Sequence, residues 1–381
     1  MTNGGPLAGV RVIELAGIGP GPYAAMLLAD LGAEVIRVER PGPAASEVPP
    51  ELDVLRRNRR SIVIDLRHPE GRQTVLALAA KADVLLEGFR PGVTERLGLG
   101  PDDCLAVNPR IVYGRMTGWG QSGPLAPAAG HDINYIAITG ALGAIGRSGD
   151  APVPPVNLVG DFGGGSTFLV IGVLAALFEA AHSGQGQVVD AAIVDGASSL
   201  TALLHGLLAA DRWIDRRGEN FLDTGVPWYD NYQTSDGEWM SVGALEPKFY
   251  AEFTTLLGLD TETAALRADP SGWPRLRAAI TEAFAARTRQ EWADVFEGTD
   301  ACVAPVLSLT EAVKHPHLAA RETFIDVGGV YQPAPAPRFS RSVPGHPSAP
   351  PAVGADGRQV LSDWGIHDAE RLIEAGVIVC D

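Results

Sequence analysis

The first forty residues constrain this chain most. Arg11-Val12-Ile13-Glu14-Leu15 and Glu34-Val35-Ile36-Arg37-Val38-Glu39 read as short strands on either side of a helix over about residues 23–31. Strands joined through a helix pair in parallel, with a right-handed crossover. The turn after the first strand is Gly17-Ile18-Gly19-Pro20-Gly21-Pro22, and acidic Glu39 follows about 20 residues on, the outline of a dinucleotide-binding unit. The chemistry argues against NAD. The third glycine of the pattern falls on Pro22, and neither Pro20 nor Pro22 has an N–H to offer a pyrophosphate. A Rossmann-like architecture without that cofactor is the expectation.

The alternation continues. Ser61-Ile62-Val63-Ile64-Asp65-Leu66, Asp83-Val84-Leu85-Leu86-Glu87, Ile111-Val112-Tyr113-Gly114-Arg115-Met116 and Gln187-Val188-Val189-Asp190-Ala191-Ala192 read as further strands, with helices over 69–82 and 195–210. The longest apolar run, 168–178, is shorter than the ~20 residues a bilayer requires and reads as a buried helix. Near residue 212 the texture changes. Aromatic residues thicken, a hairpin is expected around Asp236-Gly237, and helices follow over 247–257, 273–287 and 289–296. Residues 332–351 are crowded with proline and lack periodicity, so they read as an extended strap before a last helix. The predicted fold class is α/β, with a large Rossmann-like domain over 1–212 and 331–381 and a smaller α+β domain over 213–330.

A net charge of −16 argues against a general nucleic-acid or anionic-membrane surface, yet it allows an anionic ligand where arginines gather. Two gatherings stand out. Arg56-Arg57-Asn58-Arg59-Arg60 is a dense basic cluster, read here as a seat for phosphates because guanidinium forks suit them, with a solvated face as the alternative. Arg40, Arg67 and Arg90 each lie just past the end of a predicted strand, with Arg96 one turn into the next helix. Ligands of open α/β sheets bind at those ends. Cys104, Cys302 and Cys380 follow no metal-ligand spacing and fit a reducing cytoplasm, and the N-terminus lacks a signal-peptide pattern.

Two six-residue stretches carry the candidate chemistry. Gly130-His131-Asp132-Ile133-Asn134-Tyr135 and Gly160-Asp161-Phe162-Gly163-Gly164-Gly165 each set an ionisable side chain at a turn before an apolar run. At helix entrances, backbone N–H groups favour anions and developing oxyanions. One reading is an acid/base pair that removes a proton from one face of a carbon and returns it to the other. The other is a pair of ordinary cap residues.

Together with Asp30-Leu31-Gly32-Ala33-Glu34-Val35-Ile36-Arg37-Val38-Glu39, Arg90-Pro91-Gly92, Gly114-Arg115-Met116-Thr117-Gly118-Trp119-Gly120 and Pro335-Ala336-Pro337-Arg338-Phe339-Ser340, these stretches resemble the alpha-methylacyl-CoA racemases, mycobacterial members in particular. That group belongs to the class III (CaiB/BaiF) CoA-transferase superfamily, and the similarity runs over nearly the whole chain. The resemblance implies a homodimer of two interlocked chains and a 2-methyl-branched acyl-CoA substrate epimerised at the α-carbon. It implies no cofactor beyond the CoA moiety: no metal, NAD or PLP. Carried over by motif, His131 and Asp161 are the acid/base residues, Asp132 gives a backbone N–H to the thioester oxygen, and Glu246 holds the histidine. Arg40, Ile64, Asp65, Leu66, Arg67, Gly88, Phe89, Arg90, Arg96, Gly130, His131, Asp132, Ile133, Asn134 and Tyr135 match CoA-binding positions. Two alternatives remain: a class III CoA-transferase with Asp161 as covalent nucleophile, and a non-catalytic acyl-CoA-binding protein.

Overall fold

A computed structural model describes residues 4–42 and 48–379. Residues 43–47 of the Pro- and Ala-rich loop expected over 41–50, and Cys380, lie outside the described residues. The chain forms two compact units. The larger takes the residues up to Thr139, Val156–Leu200 and those from Ala320 on; the smaller takes Gly140–Pro155 and Thr201–Ala319.

Six parallel strands build the larger unit: β1 (Arg11–Leu15), β2 (Glu34–Glu39), β3 (Arg59–Ile64), β4 (Val84–Glu87), β5 (Val112–Thr117) and β6 (Val188–Ala192). Their order is β3-β2-β1-β4-β5-β6, and a short C-terminal strand, Ile378–Val379, closes the β3 edge antiparallel. Successive side chains alternate between faces. Ile13, Leu15, Ile36, Val38, Ile62 and Ile64 pack on one face with Leu78 and the C-terminal Val360, Leu361 and Trp364. Val12, Val35, Val84 and Val112 pack on the other with Leu28, Leu169 and Val173. Each such fully buried aliphatic side chain contributes roughly 1.5–3 kcal/mol. The last helix thus finds its docking surface on the sheet itself.

Sequence and structure part company at the basic cluster. Arg56, Arg57 and Arg59 are only 3%, 2% and 4% exposed. Arg56 pairs with Glu39, and Arg57 holds Asp30 together with the Gln332 side chain and the Pro333 carbonyl. Arg59 meets Glu14 at 3.0 Å, and Arg60 reaches Glu34 at 3.1 Å and Asp363 at 2.9 Å. Four arginines with acidic partners offer no open seat, so the phosphate reading of this cluster is wrong. The cause lies in the register. Glu14 pairs with Arg37 and Val35 with Arg59 across the sheet, which stacks Glu14, Arg37, Glu39 and Arg59 on one buried face.

Element boundaries differ in instructive ways. The first helix spans Pro20–Asp30, earlier than expected, because proline's preset φ suits a first helical position. The helix expected over 195–210 breaks at Thr201 into Ile193–Leu200 and Ala202–Ala209. The apolar helix is longer than its run suggests: a π-helical turn, Leu158–Ser166, continues into Thr167–Ser183. Those 26 residues are long and apolar enough, by length and composition, to cross a membrane. They are not wholly buried as expected, because only one face packs on the sheet and Ile171 and Phe178 remain exposed. Residues 324–330, expected in the smaller domain, belong instead to the larger unit, where they form with residues 331–333 an unanticipated hairpin, Phe324–Val327 with Val330–Pro333, held by Arg57. Farther on, Ser348 and Gly354 bond to Asn58 and Ser61 beside β3.

The smaller unit holds an antiparallel sheet of β7 (Tyr229–Gln233), β8 (Trp239–Gly243) and β9 (Val303–Pro305). Gly237 supplies the positive φ, 82°, that the Asp236-Gly237 turn requires. Phe253, Phe284, Trp292 and Phe296 form its aromatic core. Residues 140–155 belong to this unit because Arg147 pairs with buried Asp230 at 2.7 Å, a tie no local pattern announces.

Candidate active site

The strand order reverses between β1 and β4. The chain leaves β1 toward β2 on one side, and β4 leads on to β5 on the other. Such a switch point opens a crevice at the carboxyl ends of the strands. A cavity of about 370 Å³ occupies it, walled by the loops after β1, β4 and β5 and by Gly130, His131, Tyr135 and Asp161.

The Gly17–Pro22 loop forms one wall and is held from beneath. Arg37 donates to the Gly17 carbonyl at 3.2 Å, Ser166 to that of Pro20 at 2.7 Å, and Arg59 to that of Pro22. The buried arginines therefore serve the site as scaffold rather than as ligand contacts. Gly19 has φ 67°, and a Cβ there would stand 3.5 Å from Asp161 Oδ2. The loop that fails as a pyrophosphate cradle still brings backbone up to the candidate acid.

His131 caps helix Asp132–Ile138 through its backbone: its N–H donates to Asn134 Oδ1 at 3.1 Å, and its carbonyl accepts from the Asn134 N–H at 2.8 Å. The imidazole is exposed on the cavity side of that turn. Asp161 lies in the first turn of the π-helix, a geometry that concentrates at functional sites. Burial raises the Asp161 pKa above the ordinary carboxyl value, and the charge of Asp132 raises it further. A 3.5 Å hydrogen bond from Asn157 and the nearby His131 pull it the other way. Asp132 is buried, and its Oδ1 accepts the Asp161 N–H at 2.6 Å. A Cβ at Gly160 would come within 2.3 Å of that oxygen and would have to push the Asp132 carboxylate aside. Tyr135 donates to the Gly130 carbonyl and packs edge-on against Trp119 with ring centroids 4.7 Å apart. Burial raises its phenol's pKa first, and the charge of Asp161 adds to that, against Arg90.

Among the expected CoA-binding positions, Gly88, Phe89, Arg90, Gly130, His131 and Tyr135 border the cavity. Glu87 shapes the β4 loop, accepting the Phe89 N–H at 2.7 Å and the Arg115 Nε at 2.8 Å, while Arg115 also holds Glu95 at 2.7 Å. Arg40, Asp65 and Arg67 stand outside the cavity wall at the carboxyl ends of β2 and β3, on the same edge of the sheet. Arg67 clasps Asp65 through two 3.0 Å bonds, which holds the Asp65 carboxyl below its ordinary range. Ile64 is wholly buried and Leu66 packs against the same core, leaving their backbones for any ligand. Arg96, Ile133 and Asn134 are exposed. Glu246 belongs to the smaller unit, where it precedes helix Pro247–Leu257. Sequence reasoning missed Glu14, Ile18, Met116, Trp119 and Ile193, all cavity-lining. Their signal was available, since each lies at or after the carboxyl end of a predicted strand.

Residues 7–357 match a family described as CoA-transferase family III. An alpha-methylacyl-CoA racemase of Mus musculus is 45% identical over 369 residues, 96% of this chain and 95% of that one. The Homo sapiens alpha-methylacyl-CoA racemase is 42% identical over 371 residues, 96% of this chain and 94% of its own length. Among solved structures, a CAIB/BAIF family protein from Brucella suis has a TM-score of 0.81 at 28% identity, covering 95% of this chain and 100% of that chain.

Proposed function

The chain belongs to CoA-transferase family III, and on that premise we propose that it epimerises 2-methyl-branched acyl-CoA thioesters at the α-carbon. The observation that carries this reading is the shared cavity wall of His131 and Asp161, with the Asp161 carboxyl raised above its ordinary range. Likeness to two racemases over nearly the whole chain supports it.

In the proposed reaction, neutral His131 takes the α-proton of one epimer and protonated Asp161 returns a proton to the opposite face. The reverse direction exchanges their roles. Each such group contributes ~10²–10⁴ in rate, and a raised carboxyl keeps its proton available nearer neutrality. The charge that moves onto the thioester oxygen needs waiting N–H donors, each worth ~10²–10³. The Asp132 N–H, in the first turn of its helix, is the proposed donor. CoA is held by Arg90 and the Gly88-Phe89 backbone, with Arg40, Arg67 and Arg96 further along the sheet edge. This remote binding energy fixes the α-carbon between the two groups. Glu246 is assigned to orienting His131. The exposed apolar residues Ile133, Ile138, Leu158, Ile171 and Phe178 of the larger unit support a homodimer in which a second, interlocked copy covers them.

The family's description favours one competing reading, transfer of CoA with Asp161 as nucleophile. His131 distinguishes the two, because acyl transfer needs no base across the α-carbon. The test is NMR of a single-epimer 2-methylacyl-CoA with the protein in D₂O. Deuterium entering the α-position as the other epimer appears is the expected outcome. No exchange, with CoA passed to an added carboxylic acid, would replace the racemase by the transferase.

A further inference from the structure

We propose that the side chain of Asp132 is a positioning residue for Asp161, clamping its backbone and setting the charge its carboxyl works against. This role is separate from the backbone N–H of Asp132 and rests on Asp161 acting as a proton donor and acceptor. The clamp is direct: Asp132 Oδ1 accepts the Asp161 N–H at 2.6 Å across 29 residues of chain. It joins the turn that carries His131 to the π-helix that carries Asp161, so one side chain sets the spacing of the pair. The second oxygen, Oδ2, is buried and has no hydrogen-bond partner among the described residues. A buried carboxylate oxygen without a partner is costly, which makes a purely structural clamp a poor use of this side chain. An amide would hold the same N–H without burying a charge there. Gly160 repeats the point, since any Cβ there would drive into Oδ1.

Other groups leave Asp132 as the neighbour that holds the proton on. The ionisable side chains next to or on the elements packed against the π-helix are His131, Asp132, Tyr135, Tyr23, Asp30, Tyr113, Arg115, Glu179, His182, Asp190 and Asp195. Of these, Asp132 raises the Asp161 carboxyl and His131 lowers it. Removing the Asp132 charge must therefore move Asp161 toward ionisation at lower pH. Turnover in the direction that uses Asp161 as acid then loses its high-pH side first, because the proton leaves earlier as pH rises.

The decisive measurement follows the Asp161 carboxyl carbon by ¹³C NMR against pH, without substrate, with the resonance assigned by its loss in Asp161→Asn. In Asp132→Asn, which keeps an oxygen for the N–H and removes the charge, the midpoint falls. A folded Asp132→Asn with an unmoved midpoint overturns the proposal. Should that variant fail to fold, the wild-type curve decides: beside the Asp132 charge the Asp161 midpoint lies above that of an ordinary aspartate, and a midpoint at or below the ordinary value overturns the proposal. In Asp132→Ala the Asp161 amide exchanges faster and deuterium uptake at the α-carbon slows on the order of 10²-fold. Unchanged amide exchange would remove the clamp. Titration and amide exchange need no turnover, so they stand even if the racemase reading falls.

Discussion

Two groups of arginines have the same composition and opposite fates. Arg56, Arg57 and Arg59 are buried and paired with Glu39, Asp30 and Glu14. Arg40, Arg90 and Arg96 are exposed and carry no ion pair among the described residues. The first run lies before and at the amino end of β3, while Arg40 and Arg90 follow the carboxyl ends of β2 and β4. Strand polarity, not charge density, separates the buried scaffold arginines from the exposed ones proposed to hold CoA. A dense cluster draws the eye because neighbours in sequence reinforce one another. A ligand seat assembled from several strand ends is dispersed in sequence by construction.

The largest expected effect breaks the scaffold side. Arg59→Ala leaves buried Glu14 with fewer partners and costs about 3–5 kcal/mol in denaturant unfolding; a loss below about 1 kcal/mol would put Arg59 outside the scaffold. Next, Arg90→Ala raises the CoA dissociation constant on the order of 10- to 100-fold by calorimetry. Its unfolding free energy stays within about 0.5 kcal/mol of wild type. A variant that unfolds but still binds would invert the comparison. Smaller is the salt response: raising ionic strength weakens CoA binding, and Arg40→Ala flattens that dependence, because exposed charges are screened. Smallest is Arg67→Ala, since its guanidinium is already occupied by Asp65. Its clearest sign is the Asp65 carboxyl, which titrates at higher pH once Arg67 is gone.

Much of the fold was legible from the chain. Five strands of the large sheet, β1, β2 and β4 to β6, fall within a residue of their expected places, because a buried parallel strand writes a compact apolar run. Strand β3 begins two residues early, since Arg59 and Arg60 break the apolar pattern yet are paired in place. The hairpin at Gly237 was readable from its turn chemistry. Strand β9 was not: three residues after Cys302, itself at φ 56°, carry too little pattern. Nor were the proline-rich strap's attachments, which depend on Asn58, Ser61 and Arg57 far away in sequence.

The site divides along the same line. His131, Asp161, the Gly88-Phe89-Arg90 loop and Tyr135, expected from the resemblance, border one cavity, and each sits in a short contiguous motif. What the chain by itself determined is the parallel α/β order, its polarity, and therefore the edge at which the cavity opens. Those follow from local periodicity and from crossover handedness, both properties of contiguous residues. Tertiary structure alone decided which arginines are buried, that the Gly17–Pro22 loop walls the cavity, and that Asp132 turns its carboxylate onto Asp161. Each of these depends on strand order and register, which bring residues dozens of positions apart within hydrogen-bonding reach, and no local pattern encodes that distance.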